Sequence, residues 1–283
     1  MEVRLSLHED AQSFLDTAGE ALYHRETVNN LILGITERLV EYPETYDDPF
    51  FATVSNHKGD FLLAAVMTPP RNVVLAGEEN FQPAIASLID YFLANQVPIP
   101  GVVGPVQLAH RFANLWEQKT GQETTCTMEQ RVYECRNVHF PQVPEGHFRS
   151  ANRGDHPIIV EWMRAFEEEA LHKSGQDYDG RGERLIELGY VFVWEKDERL
   201  VSMAMKARPI AHSITIGGVY TPPEHRRRGY ATALVARLTD HLLSSGYQFA
   251  NLFTDLANPT SNSIYQKIGF NPVSDFLMYE FSP

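Results

Sequence analysis

At 283 residues the chain has room for one large core or about two of ordinary domain size. Lysine and arginine total 24 against 37 aspartate and glutamate, a formal charge of −13; the molecule as a whole repels polyanions, which argues against a nucleic-acid partner and requires a local site for any anionic ligand. The longest uninterrupted apolar stretch, residues 61–67, falls far short of the ~20 residues of a bilayer span, and Met1-Glu2-Val3-Arg4-Leu5 has no signal-peptide core, so a cytoplasmic protein without a membrane partner is expected.

The first half reads as a strand at 3–7, helices within 10–22 and 28–42, and a hairpin of 51–54 with 61–68 around Asn56-His57-Lys58-Gly59-Asp60. A helix at 80–95, a short strand at 101–104, a helix at 107–119 and a strand at 125–135 follow. The last of these carries both cysteines, Cys126 and Cys135, which lack metal-site spacing and are too few for a disulfide framework; both are expected to be small core residues, and no metal is expected. Residues 136–146, with Pro141, Pro144 and Gly146, read as a linker, dividing the chain into domains 1–143 and 144–283.

The second half opens with a strand at 148–151 and a helix started by Asp155 and Pro157, with Ile158, Ile159, Trp162, Met163 and Phe166 on one face. Strands 191–194 and 200–207 form a hairpin around Glu195-Lys196-Asp197-Glu198. Residues 213–221 form another strand, interrupted by Gly217-Gly218 in the manner of a bulge or of a close approach of backbone to ligand. A helix with Ala231, Leu234, Val235, Leu238 and Leu242 on one stripe, a strand at 249–254, a helix at 258–268 ended by Gly269 and a closing strand at 276–281 complete it. The two halves share this order, down to Thr68-Pro69-Pro70 and Thr221-Pro222-Pro223, so an approximate internal duplication is the simplest reading.

Between strand 213–221 and the next helix lies Pro222-Pro223-Glu224-His225-Arg226-Arg227-Arg228-Gly229. A helix N-terminus leaves backbone N–H groups unpaired and carries about half a positive charge, so it can receive a phosphate. Gly229 lets the backbone approach closely, Ala231 leaves the first helical turn unobstructed and Thr232 adds a hydroxyl. The loop lacks the Gly-Lys-Ser/Thr ending of a Walker loop and the three-glycine spacing of a dinucleotide loop. An arginine run alone also fits a solvated surface segment, a localisation signal or a nucleic-acid contact.

Arg226-Arg227-Arg228-Gly229-Tyr230-Ala231 resembles the Gln/Arg-x-x-Gly-x-Gly/Ala signature of the GNAT superfamily of N-acetyltransferases. Asn258-Pro259-Thr260-Ser261-Asn262-Ser263-Ile264-Tyr265-Gln266-Lys267-Ile268-Gly269-Phe270 resembles that family's second motif, with Ser261 and Ile264 in place of alanine and leucine. The resemblance covers about residues 147–283 and is nearest to the FR47-like group, which includes relatives of glycine N-acyltransferase. It implies an α/β (α+β) fold of two tandem GNAT-like domains, each a mixed, mostly antiparallel sheet flanked by helices. It also implies acetyl-CoA as co-substrate: Val219, Tyr220 and Thr221 along the pantetheine arm, Arg226, Arg227, Arg228, Gly229, Tyr230, Ala231 and Thr232 at the phosphates, and Asn258, Asn262 and Tyr265 beside the ligand, with the backbone of Val219 polarising the acetyl carbonyl.

When an amine attacks a thioester, the expelled thiolate needs a proton, and Tyr265 is the candidate acid. Seven residues separate it from Asn258, about two helical turns, which puts both on nearly one face; a core tyrosine and a plain helix cap are the alternatives for the pair. Some family members carry a glutamate where this chain has Phe253, leaving Asp255, His172, His212, His225 and residues 167–169 as candidate bases, beside a water chain or an acceptor that arrives deprotonated. In the first half the corresponding turn would be Leu75-Ala76-Gly77-Glu78-Glu79-Asn80, whose carboxylates repel phosphate, and the helix parallel to that of Tyr265 offers Phe112 and Trp116 but no tyrosine. The first half is therefore expected to be a non-catalytic domain that shapes the acceptor cleft, giving one site per chain in a monomer or homodimer. The expected acceptor is an amine of a small molecule or amino acid, entering between the halves; a CoA-binding sensor without turnover and an acyltransferase acting on a protein amine are the alternatives.

Overall fold

The computed structural model describes residues 2–77, 82–140, 142–171 and 177–282. Two compact units emerge: residues 1–132, 254–258 and 272–283 form the first, and residues 133–253 and 259–271 the second. Both are mixed α/β with mostly antiparallel sheets.

In the first unit β1 (Val3–His8), β2 (Phe50–Asn56), β3 (Phe61–Met67) and β4 (Val73–Gly77) pair antiparallel in sequence order. β4 then pairs parallel with β5 (Gly101–Pro105) through Val73 and Val74. Helices α1 (Ala11–His24), α2 (Asn30–Glu41), α3 (Gln82–Ala94) and α4 (Val106–Thr120) accompany this sheet. α1 starts where Asp10 accepts the Ser13 N–H at 2.8 Å, while Ser13 reaches back to the Asp10 backbone, so two donors left over at the helix start are satisfied reciprocally.

The closing strand does not stay with the half that precedes it. β12 (Asn271–Phe281) pairs antiparallel with β5 from Phe276↔Pro105 to Glu280↔Gly101. Its aromatic side chains explain the preference: the Phe281 ring lies 5.3 Å from Trp116 and 6.3 Å from Phe112, near-parallel to both, and Tyr279 joins the same apolar cluster while its hydroxyl meets His110 at 2.8 Å. Arg131 grips Asp275 through two bonds of 2.6 and 2.8 Å. The compact units thus follow strand pairing rather than a single cut near residue 144.

The crossing point lies inside β6 (Thr124–Cys135). Residues 125–127 are exposed, whereas Tyr133 and Cys135 are fully buried in the core of the second unit. This corrects one expectation: Cys135 is a core residue, its thiol pushed up to about 11 by burial, but Cys126 is exposed because it belongs to the stretch of β6 that enters no core.

The second unit repeats the pattern. β7 (His147–Ser150), β8 (Val191–Lys196), β9 (Arg199–Ala207) and β10 (Ser213–Tyr220) pair antiparallel, and β10 pairs parallel with β11 (Phe249–Asp255). α7 (Tyr230–Ser244) and α8 (Pro259–Ile268) build one core, while α5 (His156–Leu171) and α6 (Tyr178–Glu187) help build another. α6 was not foreseen: its mean hydropathy is low and it buries only Tyr178, Gly182 and Ile186. Among the described residues, no helix is long and apolar enough to cross a membrane.

Candidate active site

The site grows out of an irregularity in β10. Its register with β9 runs Thr215↔Ala207, Ile216↔Lys206 and Gly217↔Met205, then shifts so that Tyr220 opposes Met203. Gly218 and Val219 therefore face one residue of β9. Such a bulge leaves a residue's backbone groups outside the ladder, and Gly218 takes the left-handed φ of +57° that the local kink requires. The parallel pairing of β10 with β11 runs from Ser213↔Phe249 to Thr215↔Asn251. A Cβ built on Gly217 would meet nothing within 4 Å, so the strand opens onto free space where the pairing ends. The Gly217-Gly218 expectation of a bulge is met.

Past the strand, Ser202 fixes the exit: its hydroxyl donates to the Tyr220 carbonyl at 3.0 Å and lies 2.8 Å from the Thr221 hydroxyl. One 3₁₀ turn over Pro223–His225 leads to the arginine run. Arg227 and Gly229 adopt left-handed φ values of +61° and +82°. α7 begins at Tyr230 with no side-chain cap, its first helical bond running from the Ala233 N–H to the Gly229 carbonyl at 3.0 Å. The N–H groups of Tyr230, Ala231 and Thr232 come too early in the helix for an intrahelical partner. A Cβ on Gly229 would find only Pro144, at 4.0 Å, so the space before the helix is open.

The three arginines are exposed but not equivalent. Arg226 is committed to the protein: its guanidinium meets both Glu169 carboxylate oxygens at 3.0 and 2.7 Å, donates from Nε to the Thr221 carbonyl at 2.8 Å and stands 5.8 Å from the Tyr220 ring centroid. Glu169 also receives the Tyr220 hydroxyl at 3.5 Å, and burial followed by the Glu169 charge pushes that hydroxyl's pKa up. Glu169 and Arg226 lie 57 residues apart in the chain, and no local pattern in the sequence signals their contact.

α8 packs on α7, and Tyr265 shares an apolar cluster with Tyr230, Ala233 and Phe270. Tyr265 is 7% exposed, and burial pushes its hydroxyl up to about 12, so it stays a neutral proton donor at ordinary pH. Asn262, one turn earlier, accepts the Tyr133 hydroxyl at 2.9 Å. Asn258 precedes the helix, is exposed, and donates its N–H to the Asp255 carbonyl at 3.1 Å.

The candidate bases scatter. Phe253 is half-buried, with the Arg208 guanidinium 5.9 Å from its ring centroid. Asp255 accepts the Ala257 N–H at 2.8 Å. Glu167 is buried and occupied by the Tyr178 hydroxyl at 3.0 Å and Arg181 at 2.5 Å. His212 is exposed, and His225 keeps a buried Nδ1 without a hydrogen-bond partner beside the Tyr230 ring. His172, like Glu78, Glu79 and Asn80 of the first half, lies outside the described residues; Leu75 to Gly77 are the end of β4 rather than a turn. No group of three or more His, Cys, Asp or Glu side chains that could hold a metal occurs among the described residues.

A bulged strand that parts from its neighbour, an arginine-rich left-handed turn and an uncapped helix, with a buried tyrosine on the adjoining helix, define the class: an acyltransferase. Residues 156–270 match the family model described as acetyltransferase (GNAT) family, so the chain carries a GNAT acetyltransferase domain over that stretch. The match is to the family at large and does not single out the FR47-like group. No curated protein matches the chain by sequence. Among solved structures, a GCN5-related N-acetyltransferase from Sphaerobacter thermophilus superposes with a TM-score of 0.65 at 14% identity, covering 99% of this chain and 95% of the other. A Drosophila melanogaster protein gives 0.66 at 12% identity, covering 99% and 98%, and a tandem GNAT protein from the clavulanic acid biosynthesis pathway gives 0.60 at 12%, covering 99% and 98%. At these identities the likeness is one of fold.

Proposed function

We propose that the second unit transfers the acetyl group of acetyl-CoA to the amine of a small molecule or amino acid, by direct attack at one site per chain. The observation that carries this reading is the continuous run from the β10 bulge to the open, uncapped start of α7, which suits an elongated donor ending in a pyrophosphate. In this reading Val219 and its neighbours Tyr220 and Thr221 offer backbone groups to the arm, and the Val219 N–H faces the acetyl oxygen. Arg227, Arg228, Gly229, Tyr230, Ala231 and Thr232 hold the phosphates, while Arg226 braces the turn through Glu169.

The amine nitrogen bonds to the acetyl carbon, the carbon–sulfur bond breaks, and the departing sulfur takes the Tyr265 hydroxyl proton. The proton lost by the amine passes to solvent, from which Tyr265 is recharged. Phe253 contributes no proton acceptor, which fits an acceptor that reaches the site as the free amine. A cytoplasmic location suits such a reaction. The first unit serves as a GNAT-like domain without its own CoA site, because β4 runs in unbroken register with β3 from Leu63↔Gly77 to Val66↔Val74.

Release of free thiol from acetyl-CoA, measured with glycine, spermidine and tyramine as acceptors, tests the reading. Turnover is expected on at least one, and Tyr265→Phe should lower kcat about 100-fold or more while leaving KM for acetyl-CoA unchanged. Tight acetyl-CoA binding with no turnover on these amines or on a peptide N-terminus would make the second unit a CoA-binding sensor instead, the reading that Phe253 favours.

A further inference from the structure

Tyr133 stands at the end of β6, is fully buried, and belongs to the core of the second unit. Its hydroxyl donates to the Asn262 side-chain oxygen at 2.9 Å and accepts from the Gln266 side-chain amide at 3.3 Å. Asn262 and Gln266 are four residues apart on α8, hence one above the other on one face, with Tyr265 on the same side of the helix. The Tyr133 ring stands 6.5 Å from the Tyr265 ring at 54°, and the Phe270 ring stands 6.0 Å from it at 65°.

Among the described residues no side chain holds the Tyr265 hydroxyl, so its aim depends on the helix beneath it and on the rings beside it. Tyr133 controls both. Its hydroxyl pins two successive turns of α8, and its ring packs beside that of Tyr265. A phenylalanine would pack equally well but could not pin the helix, so the burial of a hydroxyl here calls for a reason beyond packing.

We infer that Tyr133 is a positioning residue for acyl transfer, fixing α8 through Asn262 and Gln266 so that the Tyr265 hydroxyl is aimed at the departing sulfur. Asn262 is accordingly part of this clamp. The inference rests on Tyr265 being the acid, and the test separates the two.

Thiol release with acetyl-CoA and the glycine, spermidine and tyramine panel is compared for Tyr133→Phe, Tyr265→Phe and the double variant, with thermal unfolding as a control. Tyr133→Phe should lower kcat about tenfold with KM for acetyl-CoA within about twofold, and should cost nothing further in the Tyr265→Phe background, since its effect passes through that hydroxyl. An equal loss in both backgrounds, or no loss in either, would overturn the inference and leave Tyr265 as the acid. A Tyr265→Phe enzyme of unchanged kcat would overturn both. Gln266 is exposed, so Gln266→Ala removes one of the two bonds without entering the core and should give a smaller loss of the same kind. A measurement that needs no acceptor is the ring resonance of Tyr265 in tyrosine-labelled protein, identified by its disappearance in Tyr265→Phe: it should move or broaden in Tyr133→Phe, and an unmoved resonance would contradict the positioning role.

Discussion

β4 and β10 hold the same place in the two units, each the last of an antiparallel series and each parallel to the strand after it, yet of the two only β10 breaks its register with the strand before it. β10 carries the bulge at Gly218-Val219, and beside Gly217 a Cβ would meet empty space. β4 keeps its ladder with β3 in register, and the gap on its other side is filled: a Cβ on Gly104 of β5 would stand 3.2 Å from the Leu75 carbonyl oxygen. Gly77 and Gly229 differ likewise. A Cβ on Gly77 would lie 2.4 Å from the Leu62 carbonyl oxygen, whereas at Gly229 the nearest atom is 4.0 Å away. One glycine seals strand against strand and the other keeps a mouth open. Charge divides the same way: the first unit has 8 Lys and Arg against 21 Asp and Glu, the second 16 against 16, so the whole excess of −13 lies on the unit without the arginine turn. In the proposed reading a shared strand order carries an anion site in one copy and none in the other, and the local devices that set the two apart are a bulge, a glycine and a few charges.

The largest expected effect comes from closing the wrong glycine. Gly77→Ala forces a Cβ against backbone at a φ of +136° and should cost about 3 kcal/mol of stability, read as a lower midpoint in denaturant, while acetyl-CoA affinity of the folded protein stays unchanged. Gly229→Val should do the reverse. Its side chain enters open space at a modest backbone cost of about 1–2 kcal/mol, but should raise the acetyl-CoA Kd about 30-fold, roughly 2 kcal/mol, measured by calorimetry; a wild-type Kd would remove the turn from the donor site.

The buried Tyr265 gives an effect of similar size that depends on pH. Its hydroxyl is raised by burial from an ordinary 10 to about 12. Folding favours the neutral form, so this contribution is complete below about pH 10 and is lost as pH rises toward 12, ~2–3 kcal/mol in all. Tyr265→Phe should flatten that part of the stability profile, and with Tyr265 as the proposed acid its titration should leave kcat level to about pH 11. The smallest effect belongs to Arg226→Gln. Because the guanidinium is half exposed and already held by Glu169, its loss should change stability by under about 1 kcal/mol and donor affinity less than Arg227→Gln or Arg228→Gln does.

Much of this was legible in the residues. Val, Ile and Thr runs bounded by turn residues located the strands, and the Gly217-Gly218 pair, Gly229 and the Tyr265 spacing marked the bulge, the turn and the helix, because each is a local demand on backbone geometry that a sequence records directly. What stayed hidden is non-local. Nothing near Phe281 announces that it stacks on Trp116 and so draws β12 to β5, and nothing near Tyr133 announces Asn262, 129 residues away. Cys126 was misplaced for a related reason: β6 alternates well enough to look half-buried throughout, but whether a strand face is covered depends on elements elsewhere in the chain. α6 escaped because a polar, ten-residue segment with Gly180 and Gly182 in it reads as a loop by composition, although its few apolar residues keep the helical period.

Titration of the whole chain with acetyl-CoA in a calorimeter, beside Gly229→Val and Gly77→Ala, bears most directly on the contrast between the two units. One molecule bound per chain, with affinity lost in Gly229→Val and kept in Gly77→Ala, is the result expected. Two molecules per chain, or one that binds equally well after Gly229→Val, would contradict it.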